Sequence, residues 1–382
     1  MNILFVTDNF PPMDGGIAAF NYNICRELCD RGNRVAVIAN RFPGAEAFDG
    51  DQPFKTHRLS GRMRPTSVEA IHAVLKAVRH DNIDIIFFGH FGSTHWLSGV
   101  LARKLFKIPY VILVHGTEFN AYHHRFTRAD RWASRIVLRN ATRIIANSKA
   151  TQRLVADHGY PEHKIAIVHP GTDPAAFADA SAGAHLKKTL GLEGMKVMLS
   201  ISRLVAKKNH LNVLRALPEV IKKIPRLCYL VVGKGPEEDS IRACIAELAL
   251  GEHVRMLGYV EPTCVAPYYH AADVFVMPSK TVDIDYESFG IVYLEANACG
   301  KPVIAGRSGG IEDAVMDGVT GVLVNPDSVE EIASSLIRLL NDVELSYTLG
   351  TNGRQRVVQE FNWVTVGRKI DSIMNDVIAH VH

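Results

Sequence analysis

Short apolar runs of strand length recur along the chain, separated by segments with helical periodicity. In the first half they are NILFVT, RVAVIAN, IDIIFFG, YVILVHG, RIIANS and KIAIVHPG; in the second, KVMLSISRL, LCYLVVGKG, HVRMLGYV, DVFVMPS, KPVIAG and GVLVN. The runs are apolar throughout rather than alternating, as in strands buried on both faces, and the intervening helices predict parallel sheets covered on both sides. Between the two series lies a looser stretch rich in Ala, Gly and Asp, TDPAAFADASAGAH at 172–185. The pattern therefore predicts two doubly wound α/β domains, one over 1–175 and one over 176–360. The last segment, 361–382, carries apolar residues at helical spacing and is expected to form a helix packing back across the domains. Open α/β sheets bind ligands beyond the carboxyl ends of their strands, so the strand-end loops of two facing sheets are where a site is expected.

Composition supports this architecture. A chain of 382 residues, 47% hydrophobic and 22% charged, suits two globular domains. No apolar run approaches the roughly 20 residues that cross a bilayer. The amino terminus enters a strand pattern without a charged leader, and a cytoplasmic protein is expected. Six scattered cysteines, of which only Cys25 and Cys29 are close, read as reduced thiols. The histidines form no His-x-x-x-His pair, so no structural metal is expected. The net charge of +3 is uneven: residues 1–175 hold 22 Lys/Arg against 15 Asp/Glu, and residues 176–382 hold 21 against 25. The positive half is expected to attract an anionic partner.

Three strand-end loops carry candidate chemistry. Gly15 and Gly16, in TDNFPPMDGGIAAF, allow a ligand close to the backbone and aim helix amino-terminal N–H groups at an anion; the pair alone reads equally well as a tight turn. Arg203 and Lys208, in SISRLVAKKN, combine a guanidinium fork and an ammonium that together neutralise a diphosphate, although either alone is an ordinary surface charge. Glu287 and Glu295, in DYESFGIVYLEANACG, flank a predicted helix start at Gly290 whose free N–H groups suit a phosphate. About 7.5 Å of helix separates that start from Glu295, so the two carboxylates suit two acceptors along an extended ligand, such as the two hydroxyl-rich rings of a nucleotide sugar. Without the basic pair, Glu295 reads as a solvent-facing helix residue. Only the first half of Gly-x-Gly-x-x-Gly occurs, in VGKGPEE, which disfavours a nicotinamide or flavin enzyme.

Taken together, NFPPMDGGIA, HGTE, IANSKAT, VHPGTD, SRLVAKKN, VGKGPEEDSI and ESFGIVYLEANACGKPVIAGRSGG resemble, in order and spacing and over essentially the whole chain, the retaining glycosyltransferases of family 4. The resemblance implies the GT-B fold, two Rossmann-like domains facing across a cleft. It implies that Arg203 and Lys208 grip the donor diphosphate with Gly16 and the backbone at Gly290 and Ile291. Glu295 then holds the ribose, Glu287 the transferred sugar, and the backbone at Val260 the base. His115 stands beside the transferred sugar, and Gly15 and Glu118 fall on the acceptor side. The catalytic set so implied is Glu287, His115, Arg203 and Lys208. Two positions depart from the family: Ser202 replaces the usual Gly before the diphosphate Arg, and Ser288 the usual Gly after the first Glu.

The resemblance further implies front-face transfer of a hexose without metal or other cofactor. VYLEANACGKPVIAGRSGG is most similar to the mannosyltransferases acting on phosphatidylinositol mannosides and other lipid-linked glycans, which makes GDP-mannose the first donor and a UDP-hexose the second. DID at 283–285 resembles the Asp-x-Asp metal motif of the other glycosyltransferase architecture but sits late in the chain beside a basic pair. A non-catalytic sugar-binding protein, normally exported, and a sugar-nucleotide epimerase are the alternatives from other classes. Arg125, Arg128, Arg131, Arg135, Arg139 and Arg143 recur at steps of three or four and, if helical, form one stripe for an anionic membrane or lipid phosphate, placing the protein peripherally on the inner face; the other reading is a solvated face partly neutralised by Asp130. No RNA-binding motif is evident, and nucleic acid is not an expected partner.

Overall fold

A computed structural model describes residues 1–13, 15–60, 68–91, 95–120 and 128–380. The chain forms two units, Met1–Pro170 with Trp363–His382, and Gly171–Asn362. The chain thus changes unit at 170/171 and 362/363, a few residues from the boundaries read from the sequence. The looser stretch belongs to the second unit, because Phe177 is buried in that unit's core.

The first unit holds a seven-stranded parallel sheet: β1 (Asn2–Thr7), β2 (Arg34–Asn40), β3 (Lys55–Leu59), β4 (Ile85–Phe88), β5 (Tyr110–Val114), β6 (Arg143–Ala146) and β7 (Ile165–Ile167), in the order β3-β2-β1-β4-β5-β6-β7. Successive residues of a strand face opposite sides. Leu4 and Val6 accordingly join one apolar layer and Ile3 and Phe5 the other, where Phe5 stacks on Phe87 across the β1–β4 pair at 5.0 Å. β3 is absent from the apolar runs because it is an edge strand, KTHRL, in which Lys55 and His57 are exposed and the Arg58 side chain is buried in an ion pair with Asp49. The helix Trp363–Ala379 buries Val366, Ile370, Met374 and Val377 at spacings of three and four and packs on the helix Gly16–Asp30 of the same unit.

The second unit holds six parallel strands: β8 (Lys196–Ile201), β9 (Leu227–Val232), β10 (Val254–Gly258), β11 (Val274–Met277), β12 (Val303–Gly306) and β13 (Val322–Val324), in the order β10-β9-β8-β11-β12-β13. Each order reverses once, between β1 and β4 and between β8 and β11, and such switch points open a crevice at the strand carboxyl ends. Of the candidates, Arg203 stands two residues past the end of β8, and Lys208 and Glu287 lie in the loops that follow β8 and β11.

Behind the second switch point, the helix Val343–Glu360 lies against the end of the helix Ile291–Ala298, and Gly350 sets the approach: a Cβ there would stand 2.0 Å from the Gly300 carbonyl oxygen. In an open helix Gly→Ala gains about 1 kcal/mol. Here Gly350→Ala is expected to lower stability by about 1–3 kcal/mol, because the backbone must shift to admit the methyl group. Urea unfolding followed by circular dichroism measures it, and a midpoint equal to or above that of the wild type contradicts the close approach.

Candidate active site

The carboxyl-terminal site is built where β8 ends. The chain passes through a 3-10 turn, Ala206–Lys208, and Asn209, at φ 62°, redirects it into the helix His210–Lys223. Asn is among the few non-glycine residues that enter the left-handed region readily. Its amide donates to the carbonyls of Pro278 at 3.1 Å and Pro326 at 2.6 Å, which fixes the turn. Lys208 then forms an ion pair with Glu287, the two side chains only 13% and 14% exposed. Lys207 bonds Asp285 at 2.8 Å, and the Lys280 N–H donates to the Lys207 carbonyl at 2.8 Å. Burial pushes the Glu287 carboxyl up, but Lys208 and Lys207 outweigh it and hold it below the ordinary range, so it is charged at neutral pH. Asp285, the second acid of DID, is thus engaged by a lysine of the neighbouring loop.

Past Glu287, Gly290 (φ 88°, ψ 77°) turns the chain into the helix Ile291–Ala298. A Cβ there would lie 2.4 Å from the Tyr293 ring, so both space and backbone angle require glycine. The Tyr293 hydroxyl donates to the Met277 carbonyl at 2.7 Å, tying the first helical turn to the end of β11. Glu295 sits one turn further on and accepts a hydrogen bond from the Tyr269 hydroxyl at 2.6 Å; burial raises its pKa, opposed by that bond. Arg203 is exposed, and its side chain has no hydrogen bond or ion pair among the described residues. Val260, just past β10, is half-buried against the apolar layer that includes Phe289 and Tyr293. The fold therefore brings Lys208, Glu287, Gly290 and Ile291 together, with Arg203, Glu295 and Val260 on the surrounding strand ends and helix.

In the amino-terminal unit, His115 follows β5 and is only 7% exposed, edge-on to Phe20 of the helix Gly16–Asp30 at 5.6 Å. Burial first, then the nearby His90, lowers its pKa to about 3, so the ring is neutral. The ring bonds the Gly89 backbone, while Nε2 is buried without a partner. Glu118 accepts the His115 backbone N–H; burial raises its pKa, opposed by His90 and that bond. Gly15 caps the helix at φ 140°, Gly16 is its first residue, and a Cβ at Gly15 would meet only open space.

Two residues that the sequence reading passed over complete this cluster. Asp8 after β1 and His90 after β4 stand at the first switch point, His90 Nδ1 lying 3.0 Å from Asp8 Oδ1. Burial pulls the His90 pKa down, but Asp8 and Glu118 more than offset it and leave it raised. Their place at strand carboxyl ends, in VTDN and FFGH, was the available signal. The arginine stripe needs correction: the helix spans Arg128–Asn140, so Arg143 instead begins β6 and donates to the His163 carbonyl at 3.4 Å. Arg125 lies outside the described residues.

The buried histidines set a pH dependence. With folded pKa values depressed to about 3 for His115 and about 4 for His210, the native chain refuses protons that the unfolded chain binds below about 6.5. Their contribution to stability is present above 6.5 and is lost as the pH falls. His90, with a raised pKa, acts above that window. Urea midpoints are expected to fall between pH 6.5 and 5, with a slope of up to about 1.4 kcal/mol per pH unit for each group, and the slope is expected to shrink in His115→Gln and His210→Gln. An unchanged slope in both variants refutes the assignment.

Comparison with known proteins agrees with this geometry. A model of the group 1 glycosyl transferases matches residues 184–356, and one of glycosyltransferase family 4 matches residues 14–176. The GDP-mannose-dependent alpha-(1-6)-phosphatidylinositol monomannoside mannosyltransferase of Mycolicibacterium smegmatis is 32% identical, over 98% of each chain. The GDP-mannose-dependent monoacylated alpha-(1-6)-phosphatidylinositol monomannoside mannosyltransferase of Corynebacterium glutamicum is 29% identical, over 97% of each. The structure of Anabaena HepE in complex with UDP shares the fold with a TM-score of 0.83 at 23% identity, covering 98% of this chain and 100% of that one. Two parallel α/β units of GT-B type, matched end to end by these relatives, place the chain in the family 4 glycosyltransferases.

Proposed function

We propose that this glycosyltransferase moves mannose from GDP-mannose to a hydroxyl of a lipid-linked or glycan acceptor, with retention of anomeric configuration and without a metal. The observation that carries the reading is the Lys208–Glu287 ion pair set against the start of the helix Ile291–Ala298, at the carboxyl ends of the strands. An ammonium has three donors. One is on Glu287, which leaves two for phosphate oxygens. Exposed Arg203 and the backbone N–H groups of Ile291 and its neighbours complete the cradle, and the family resemblance assigns Gly16 to the same diphosphate. Glu295 is the acceptor for the ribose, and Val260 lies against the base. The mannose donor is supported by the names of the relatives that match end to end.

In this mechanism the bond from the anomeric carbon to the diphosphate breaks while the acceptor oxygen bonds the same face. The acceptor proton passes to the departing diphosphate. Lys208, Arg203 and the helix start stabilise the charge that grows there, so no protein nucleophile is needed. Glu287 holds the hydroxyls of the transferred sugar. His115, neutral and with Nε2 unpartnered, takes a sugar hydroxyl as a hydrogen-bond partner. Gly15 and Glu118 serve the acceptor.

The helix Arg128–Asn140 carries Arg128, Arg131, Arg135 and Arg139 within one face, with Trp132, 67% exposed, beside them. Among the described residues no helix is long and apolar enough to cross a membrane. We read this face as a peripheral anchor on the anionic cytoplasmic leaflet, since a basic surface with an exposed Trp suits the bilayer interface.

Three outcomes test the reading. Arg203→Ala and Lys208→Ala are each expected to weaken nucleoside diphosphate binding about ten- to a hundredfold, the loss of a charge-assisted bond, measured by calorimetry. Glu287→Gln is expected to cut turnover with GDP-mannose more than tenfold while GDP binds as tightly or more tightly, because Lys208 is released to the phosphates; weaker GDP binding with unchanged turnover contradicts the role. Co-sedimentation with vesicles is expected to rise with phosphatidylglycerol content and to fall in Arg135→Glu/Arg139→Glu, and binding indifferent to anionic lipid removes the membrane proposal.

A further inference from the structure

A buried polar chain in the carboxyl-terminal unit has no part in the reaction as written above. It starts at the Val276 carbonyl in β11, which accepts from the Ser200 hydroxyl of β8. Ser200 Oγ lies 2.7 Å from the Tyr229 hydroxyl of β9, which lies 3.2 Å from His210 Nδ1, and His210 Nε2 lies 2.9 Å from Ser202 Oγ. Ser200 and Tyr229 are fully buried and His210 is only 4% exposed.

The carbonyl end fixes the direction of every proton. A carbonyl only accepts, so the single proton of Ser200 is committed to Val276. Tyr229 must then donate to Ser200, and His210 must donate to Tyr229 from Nδ1–H. Burial first, and then Lys208, keeps the ring neutral. Nε2 is therefore a bare acceptor, and the Ser202 hydroxyl donates to it. Each donor is used once. The Arg203 carbonyl, 3.1 Å from Ser202 Oγ, is the only competing acceptor for that last proton among the described residues.

Ser202 immediately precedes Arg203, and His210 comes two residues after Lys208. Their bond joins positions eight apart and closes the loop that carries both cations. Lys208 has a partner of its own in Glu287, but the Arg203 side chain has none among the described residues, so the backbone on either side of it is what aims the guanidinium. We propose that the Ser202–His210 bond is a clasp that fixes the spacing of Arg203 and Lys208 for a nucleoside diphosphate, making Ser202 and His210 positioning residues.

The inference rests on the diphosphate role of Arg203 and Lys208, and the test separates the two. Full-length protein is titrated with GDP, UDP and the corresponding monophosphates. Ser202→Ala is expected to weaken binding of the preferred diphosphate about fivefold, the worth of one ordinary hydrogen bond, while the monophosphate changes less than twofold. Ser202→Thr and His210→Gln keep an oxygen or amide in place and are expected to stay within twofold of the wild type. In His210→Phe the Ser202→Ala effect is expected to vanish, since the two act as a unit. Ser202 is half-exposed, so its variants report even where His210→Phe fails to fold. Equal weakening of monophosphate and diphosphate, or no weakening in Ser202→Ala while Arg203→Ala weakens diphosphate binding, overturns the clasp. Binding of neither diphosphate by the wild type, or unchanged binding in Arg203→Ala, overturns the reading beneath it and the clasp with it.

Discussion

A lysine and a glutamate 79 residues apart share one largely dry position at the carboxyl ends of a parallel sheet. Removing two charges from water costs several kcal/mol per ion unless the pair is well placed and further bonds support it. Lys207, bonded to Asp285 and holding the backbone of Lys280, supplies that support from the adjacent residue. Asn209 fixes the turn from below, and Gly290 lets the chain swing from Glu287 into its helix. The ion pair is therefore an expensive feature that the surrounding loops exist to hold. In the proposed function its value lies in the two Lys208 donors left for phosphate, where low dielectric makes charge count for more than it does in water.

The two units solve the same topological problem with different chemistry. Each doubly wound sheet reverses its strand order once, and each places polar side chains at the resulting gap. In the carboxyl-terminal unit these are cations matched to carboxylates. In the amino-terminal unit they are Asp8, His90, His115 and Glu118, and charged neighbours separate the titrations of two equally buried imidazoles: Asp8 and Glu118 outweigh burial and raise His90, whereas burial and then His90 drive His115 down. The two imidazoles thus hold different charge states at one pH, which a mobile solvent environment would not maintain.

The sequence disclosed the strands with the strongest physical signature. Runs such as YVILV and LCYLVV are buried on both faces and have no other stable disposition. β3 escaped because KTHRL, on the edge, is free to be polar. The arginine stripe was over-read at Arg143, since a step of four continues across a helix end as easily as within a helix. Of the site, Glu287 and Lys208 were legible through their motifs, and the helix start through Gly290. Asp8 and His90 were not, because a strand-end acid and histidine 82 positions apart carry no pattern until the sheet order makes their strands neighbours.

Sequence alone determined the fold class, the family and the kinds of group available for chemistry, because apolar periodicity and local motifs are properties of neighbouring residues. Tertiary structure decided which groups meet. It gave Lys208 to Glu287 and Lys207 to Asp285, left Arg203 to be aimed by its backbone, and closed the loop between them with Ser202 and His210. Those choices depend on distance and solvent exclusion, and these arise only when strands far apart in the chain lie side by side.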